Sequence, residues 1–312
     1  MPPIKPPTKW IAEDSAGLPL AAVASQGIRA RMAGIQYYLP RAAFLWEEDP
    51  EHVHQLRVAS RRSAATIELF ASLLPRKRLR GLLRQIKQIR RSADAARDLD
   101  VYLQRLGEPS DKGAGSLARR LEKLRRKAQT PIVEMALPLL TSEPLAPRVD
   151  RLLKKIENSP AAAERYGPWS ASKLRQEWSE FIAHMPPPQP KPDQLHEFRI
   201  AGKHFRYVLE ILSGGLPAVV RKEIYPQVER LQGKLGTIQD HAVAAERLSD
   251  WQSETHRPTE KRFLAQLEAD EREQFAADAD AFCQWWHPDH VGQLTALIDQ
   301  VVREARSEVD AS

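Results

Sequence analysis

One ten-residue pattern occurs twice in this chain, and it constrains the fold more than any other feature. The first copy is Val53-His54-Gln55-Leu56-Arg57-Val58-Ala59-Ser60-Arg61-Arg62, continuing to Phe70. The second is Leu195-His196-Glu197-Phe198-Arg199-Ile200-Ala201-Gly202-Lys203-His204, continuing to Leu212. Neither holds a proline, and β-branched residues are few, so both read as helix. At about 100° per residue from His54, Arg57 and Arg61 fall near 300° and 340°. Counted the same way from His196, Arg199, Lys203 and Arg206 fall near about 300°, 340° and 280°. Each helix therefore carries a narrow stripe of one histidine with two or three permanent cations. The opposite side holds Leu56, Ala59, Ser63, Ile67 and Phe70 in one copy, and Phe198, Ala201, Phe205, Leu209 and Leu212 in the other. That is a core face set against a cationic face.

The offset between the copies is 142 residues, from His54 to His196. The same offset carries Glu68 to Glu210, Leu74-Pro75 to Leu216-Pro217, Asp98 to Asp240, Val101 to Val243 and Leu106 to Leu248. Motifs this far apart sharing one offset without an insertion point to an internal duplication. The expected architecture is all-α: two antiparallel helical bundles related by a pseudo-twofold axis. Residues 1–17 are expected to be a flexible N-terminal tail, 18–160 the first bundle and 161–312 the second. Helices are expected from Pro19 to Trp46, with Pro40 kinking or dividing that segment. They are further expected after Asp49-Pro50-Glu51, over Arg76–Leu106, from Leu117 to about Leu137 after a loop at 107–115, and from about Pro147 to Glu157. The second half repeats the order: Trp169–His184, Asp193–Leu212, Ala218–Asp250, Thr259–Trp286 and Pro288–Val309.

His-x-x-Arg-[Val/Ile]-Ala-x-[Arg/Lys], duplicated in a helical chain of this length, resembles the CHAD domain, a helical domain named for its histidine. The resemblance covers nearly the whole chain from about Leu18 onward. It implies two four-helix bundles packed together, and a ligand, inorganic polyphosphate. Arg97-Asp98 is similar to the family's Arg-Asp pair, whereas the second half departs from it with Gln239-Asp240.

Charge narrows the partner. The net charge of +6 conceals an asymmetry: residues 1–160 carry 29 Lys+Arg against 17 Asp+Glu, and the remainder 18 against 24. The first half is a candidate for binding polyanions. The second half, net acidic, keeps its cationic stripe all the same, which bulk charge does not predict. Between Arg76 and Arg91 there are eight Lys/Arg and no acid, and Arg80, Arg84, Lys87 and Arg91 share one helical face. In the second half the equivalents of Arg84, Lys87 and Arg91 are Pro226, Glu229 and Gly233, while Arg230 and Lys234 remain. The single cysteine, Cys283, excludes an intrachain disulfide. No secretory h-region and no run of about 18 apolar residues is present, so a cytoplasmic protein is expected.

A cationic helix face is often merely solvated. Persistence of the stripe in a half whose net charge has reversed favours anion binding. Arginine supplies a planar fork of donors matched to phosphate oxygens, lysine a point charge. A row of them suits a linear polyphosphate better than a single phosphate. His54 and His196 remain open between metal ligand, phosphoacceptor, phosphate donor and structural donor. Neighbouring cations disfavour a metal, and donation to an anion fits best, with binding tightening as pH falls through roughly 7 to 6. Asp98 and Asp240 are expected to hold cations in place, and Cys283, beside Trp285 and Trp286, to fill core. No phosphate-binding glycine loop, zinc-protease helix or nucleophile elbow is found. The triphosphate-tunnel pattern often fused to CHAD domains is also absent.

The expectation is thus a non-catalytic module without cofactor or metal, binding inorganic polyphosphate or another polyanion in the cytoplasm, at polyphosphate granules. Contacts are expected from His54, Arg57, Arg61, Arg84, Lys87 and Arg91, and from His196, Arg199, Lys203, Arg206 and Lys234. The competing readings are an RNA- or DNA-binding helical protein, and an accessory module to a phosphate-metabolising enzyme.

Overall fold

Prolines start most of the helices of this chain. Pro19, Pro50, Pro75 and Pro144 stand at N-caps, and Pro131, Pro192, Pro226 and Pro258 at the first helical positions. There the missing N–H costs nothing and the fixed φ suits the turn. The computed structural model describes residues 8–11, 14–106 and 112–310, the side chains of 112, 113, 157 and 306–310 excepted. The rest of the expected tail and the expected loop residues 107–111 lie outside the described residues.

The helices are α1 (Leu20–Phe44), α2 (Glu51–Leu69), α3 (Arg76–Ser92), α4 (Asp94–Leu106), α5 (Lys112–Lys127), α6 (Thr130–Thr141) and α7 (Leu145–Leu153). They continue as α8 (Tyr166–Ile182), α9 (Pro192–Leu212), α10 (Tyr225–Glu254), α11 (Pro258–Trp285) and α12 (Pro288–Asp310). The described residues contain no strand, only an isolated bridge between Pro19 and Arg165. By contacts the chain divides into two compact units. One holds the residues up to 105 with 121–169; the other holds 106–120 with 170–312.

Several elements differ from the expected ones. The long helix over 117–137 is two helices, because Pro131 removes an N–H and crowds the carbonyl one turn back. The break is anchored by Gln129, whose amide donates to the carbonyls of Ala42 and Ala43 at 2.7 and 2.9 Å. Helix α5 begins at Lys112, so residues 112–115 are helical rather than loop. Helix α1 passes through Pro40, four residues before its end, so the helix is not divided there. The basic segment divides at Ala93 into α3 and α4. At the same offset α10 runs on as one helix, entered through a π turn at Val220–Ile224. Residues 8–11 are held against α1: the buried Arg31 donates to the carbonyls of Thr8 and Lys9 at 3.0 and 2.9 Å, and Ile11 is buried.

In the first unit α1 and α2 pack face to face. Ile28, Met32, Ile35 and Leu39 of α1 are buried, as are Leu56, Ala59, Ile67 and Phe70 at the α2 positions chosen by periodicity. Each large side chain so buried contributes about 1.5–3 kcal/mol. Ser63, on the same face, donates to the Arg31 carbonyl at 3.0 Å, which removes the cost of burying its hydroxyl. A buried ion pair joins Arg125 of α5 to Asp100 of α4, with the guanidinium 4.1 Å from the Trp46 ring centroid. Burial pushes the Asp100 carboxyl above the ordinary aspartate value, and the Arg125 hydrogen bond opposes that shift.

The second unit has an aromatic core. Phe181 of α8 stacks on Phe198 and Phe205 of α9 with ring centroids 4.8 and 5.3 Å apart. Gly202 lets α9 approach α10. A Cβ there would overlap the Gln232 amide and press on Leu231 and Phe181 at 3.2 and 3.3 Å.

Candidate functional site

The α2 stripe is present as a face, but its members are in different electrostatic states. Arg57 is mostly buried and ion-paired with Asp94, the first residue of α4. Burial lowers the Arg57 pKa first; Asp94 and Asp98 oppose that, while Arg61 and Arg90 add to it. A guanidinium remains charged even so. Arg61, half-buried one turn along, has no carboxylate partner within ion-pair distance among the described residues. His54 is half-buried, and burial lowers its pKa, with Arg97, Arg57 and Arg61 acting in the same direction and Glu51 against them. Its ring is therefore neutral at physiological pH in the free protein.

Two residues outside the expected contact set thus belong to this face. Arg90 acts on Arg57, and Arg97 acts on His54. Arg90 sits on the flank of α3, about 70–80° from the buried line of Leu82, Ile86 and Ile89 at about 100° per residue. Only interhelical packing selects that flank, so the regular spacing of Arg80, Arg84, Lys87 and Arg91 drew attention to the other side. Those four are exposed, opposite the buried line of α3. Arg84, Lys87 and Arg91 form a second basic strip, with no carboxylate partner among the described residues. Arg97 carries the family-like Arg-Asp pair, and that was the available signal for it. Among the charged groups acting on His54 and Arg57, four arginines, 57, 61, 90 and 97, stand against three carboxylates, those of Glu51, Asp94 and Asp98.

The α9 stripe is more compensated. Arg206 is half-buried, 3.8 Å from the carboxylates of Glu210 and of Glu229, and it donates to the Tyr225 hydroxyl at 3.2 Å. Tyr225 in turn donates to the fully buried Glu210 at 3.1 Å. Burial works against the Arg206 charge, but the two tyrosines and Glu210 leave its pKa above the ordinary value. His196 is exposed, with Nδ1 2.5 Å from the Gln239 amide oxygen. It borders a hollow of about 270 Å³ lined by Leu195, Leu235, Ile238 and Phe275, with Asp193 and Glu246 among its polar groups. Arg199 and Lys203 are half-buried. Lys234, on α10, lies over the Trp285 ring with its ammonium nitrogen 5.6 Å from the centroid. In this second row Arg206 is held by the protein's own carboxylates, and His196 sits beside an apolar hollow. Glu210 stands on α9 itself, four residues after Arg206, but Glu229, Gln239 and Glu246 come from α10 and are not visible from α9 alone.

One correspondence spans the 142-residue offset. His54 is acted on by Arg97, and His196 is bonded to Gln239. Histidine and partner keep their positions while the partner changes from a cation to a neutral amide.

An all-helical fold with two histidine-bearing helices matches a known class. The family model for the CHAD domain matches residues 26–249, and the chain belongs to that family. Among solved structures it is similar to the crystal structure of the CHAD domain from the plant Ricinus communis, at 20% identity and a TM-score of 0.67. That likeness covers 95% of this chain and 96% of the plant chain. It is also similar to PptA from Streptomyces chartreusis, at 22% identity and a TM-score of 0.60, over 86% of this chain and 99% of that one. No curated protein matches it. At these identities the structural likenesses speak for the fold. Among the described residues no helix is long and apolar enough to cross a membrane.

Proposed function

We propose that the protein is a non-catalytic binder of inorganic polyphosphate, and that the first unit supplies the principal surface. One observation carries this reading: Arg61, Arg90 and Arg97 act on His54 or Arg57, so that with Arg57 four cations stand against the three carboxylates of Glu51, Asp94 and Asp98. The exposed strip Arg84, Lys87 and Arg91 offers a second basic surface on the outer side of α3. Such a surface suits a flexible chain of phosphoryl groups, each bearing charge and acceptor oxygens. Membership of the CHAD family supports phosphate as the anion. The helix order at the 142-residue offset, α2 against α9 and α3 with α4 against α10, supports an internal duplication. The second copy has drifted toward internal charge compensation. In the cell the binding would take place in the cytoplasm, at polyphosphate granules.

The test is a titration with long-chain polyphosphate at two salt concentrations. Arg61→Glu combined with Arg97→Glu should weaken binding at least tenfold, about 1.4 kcal/mol, with the circular dichroism spectrum unchanged. Unaltered affinity in a folded double variant would remove this face from the site. The second reading is single-stranded nucleic acid, favoured by one observation: Arg230 and Lys234 both lie over Trp285, an aromatic and cationic grouping that such binders use. Competition between polyphosphate and single-stranded RNA at equal charge separates the two. Tighter RNA binding at both salt concentrations would overturn the polyphosphate assignment. Phosphate release with and without Mg²⁺ tests the non-catalytic reading.

A further inference from the structure

Helix α10 places Arg230 and Lys234 one turn apart over the same indole, with the guanidinium carbon 5.1 Å and the ammonium nitrogen 5.6 Å from the Trp285 centroid. Like charges at this spacing repel, and neither cation has a carboxylate partner within ion-pair distance among the described residues. The turn between α11 and α12 supplies the other wall. The His290 ring lies 4.9 Å from Trp285 and 5.2 Å from Trp286, and His287 lies 6.4 Å from His290. Burial, His287 and Arg230 together lower the His290 pKa. Asp289 lies 3.8 Å from His287. Helix α12 begins at Pro288, so its free N–H groups and the positive end of its dipole lie at the same place.

Two buried nitrogens complete the picture. Nε1 of Trp286, a side chain only 6% exposed, and Nε2 of His290 have no hydrogen-bond partner. Buried polar atoms without a protein partner reward a guest that can bond to them. We propose that this notch, formed by Arg230, Lys234, Trp285, Trp286 and His290, is a binding site for a tetrahedral oxyanion of the phosphate class. Arg230 offers its fork and Lys234 a point charge. A small shift of the His290 ring brings Nε2 to the guest. A bound anion offsets the repulsion among Arg230, Lys234 and protonated His290, so binding takes up a proton and tightens as pH falls below the ordinary histidine value of about 6.5. Only the choice of phosphate rests on the function proposed above; the residues are distinct from those of the α2 face.

The full-length chain is titrated with orthophosphate, tripolyphosphate and long-chain polyphosphate at fixed ionic strength, following tryptophan emission and heat. A phosphate-dependent emission change is expected, absent in Trp285→Phe and at least tenfold weaker in Arg230→Ala combined with Lys234→Ala. Thermal melts check that both variants fold. Response to orthophosphate identifies free phosphate as a sufficient guest; response to the two longer ligands only identifies phosphoryl groups within a chain. Either outcome supports the site. The Arg61→Glu, Arg97→Glu variant should keep the response, so failure of the α2 face and failure of the notch are distinguishable. An emission change equalled by chloride, or undiminished in the Arg230, Lys234 variant, overturns the proposal.

Discussion

Replacing Asp94 by Asn should strengthen polyphosphate binding while weakening the fold. Asp94 is the carboxylate that occupies Arg57. Two unit charges about 4 Å apart interact by about 4 kcal/mol at an effective dielectric near 20. The Asp94 side chain is 40% exposed and that of Arg57 13%, so solvent screening reduces the contribution to about 0.5–1 kcal/mol. Released from that pair, Arg57 can take a phosphate oxygen, and the dissociation constant should fall about two- to fivefold. By counterion-release reasoning, one further phosphate contact should steepen the dependence of log affinity on log salt by about 0.7–0.9. Loss of an acid from the first turn of α4 should cost about 0.3–1 kcal/mol through the helix dipole, on top of the lost pair, and lower Tm by several degrees. Opposite signs for affinity and stability are the signature. The assay is a binding isotherm at 50 and at about 200 mM salt, run beside a thermal melt. Binding that is unchanged or weaker at both salts, in a protein that remains folded, would falsify the claim that Asp94 competes with the ligand for Arg57.

Three further outcomes follow from other parts of the molecule. His54 has a lowered pKa in the free protein, and a nearby polyanion would raise it; binding should therefore take up a proton and tighten as pH falls from the bound-state value toward the free-state one, a window that reaches below the ordinary histidine value of about 6.5. A His54→Gln variant should abolish that contribution to the pH profile, and a profile identical to wild type would remove His54 from the linkage. Gly202→Ala places a Cβ against the Gln232 amide, Leu231 and Phe181; overpacking of this kind should cost about 1–3 kcal/mol in denaturant unfolding without weakening polyphosphate binding at the α2 face. Arg125→Met leaves Asp100 buried without its cation and should cost about 3–5 kcal/mol, part of which Asp100→Asn in the same chain should restore; equal stability of the single and double variants would contradict the pairing.

Local periodicity made much of this fold legible. Leu56, Ala59, Ser63, Ile67 and Phe70 were assigned to the core from their spacing alone, and all are buried. The helical period is a property of consecutive residues, so a short window suffices to read it. A proline is as local a signal, and Asp49-Pro50-Glu51 marked the start of α2. Pro131 and Pro226 were overlooked as helix starts, because the apolar pattern continues across Pro131 and Pro226 falls inside the expected helix over Ala218–Asp250.

What the sequence determined was therefore the helical class, the two histidine-bearing helices and which side of each faces the core. Tertiary structure alone decided which cations remain available. Arg57 meets Asp94 across 37 positions, and Arg206 meets Glu229 from another helix. Charge pairing depends on the rotation and register of one helix against its neighbour, and no single helix encodes those. The same dependence brought Arg90 and Arg97 to the α2 face, and placed Arg230 and Lys234 over Trp285 rather than beside His196.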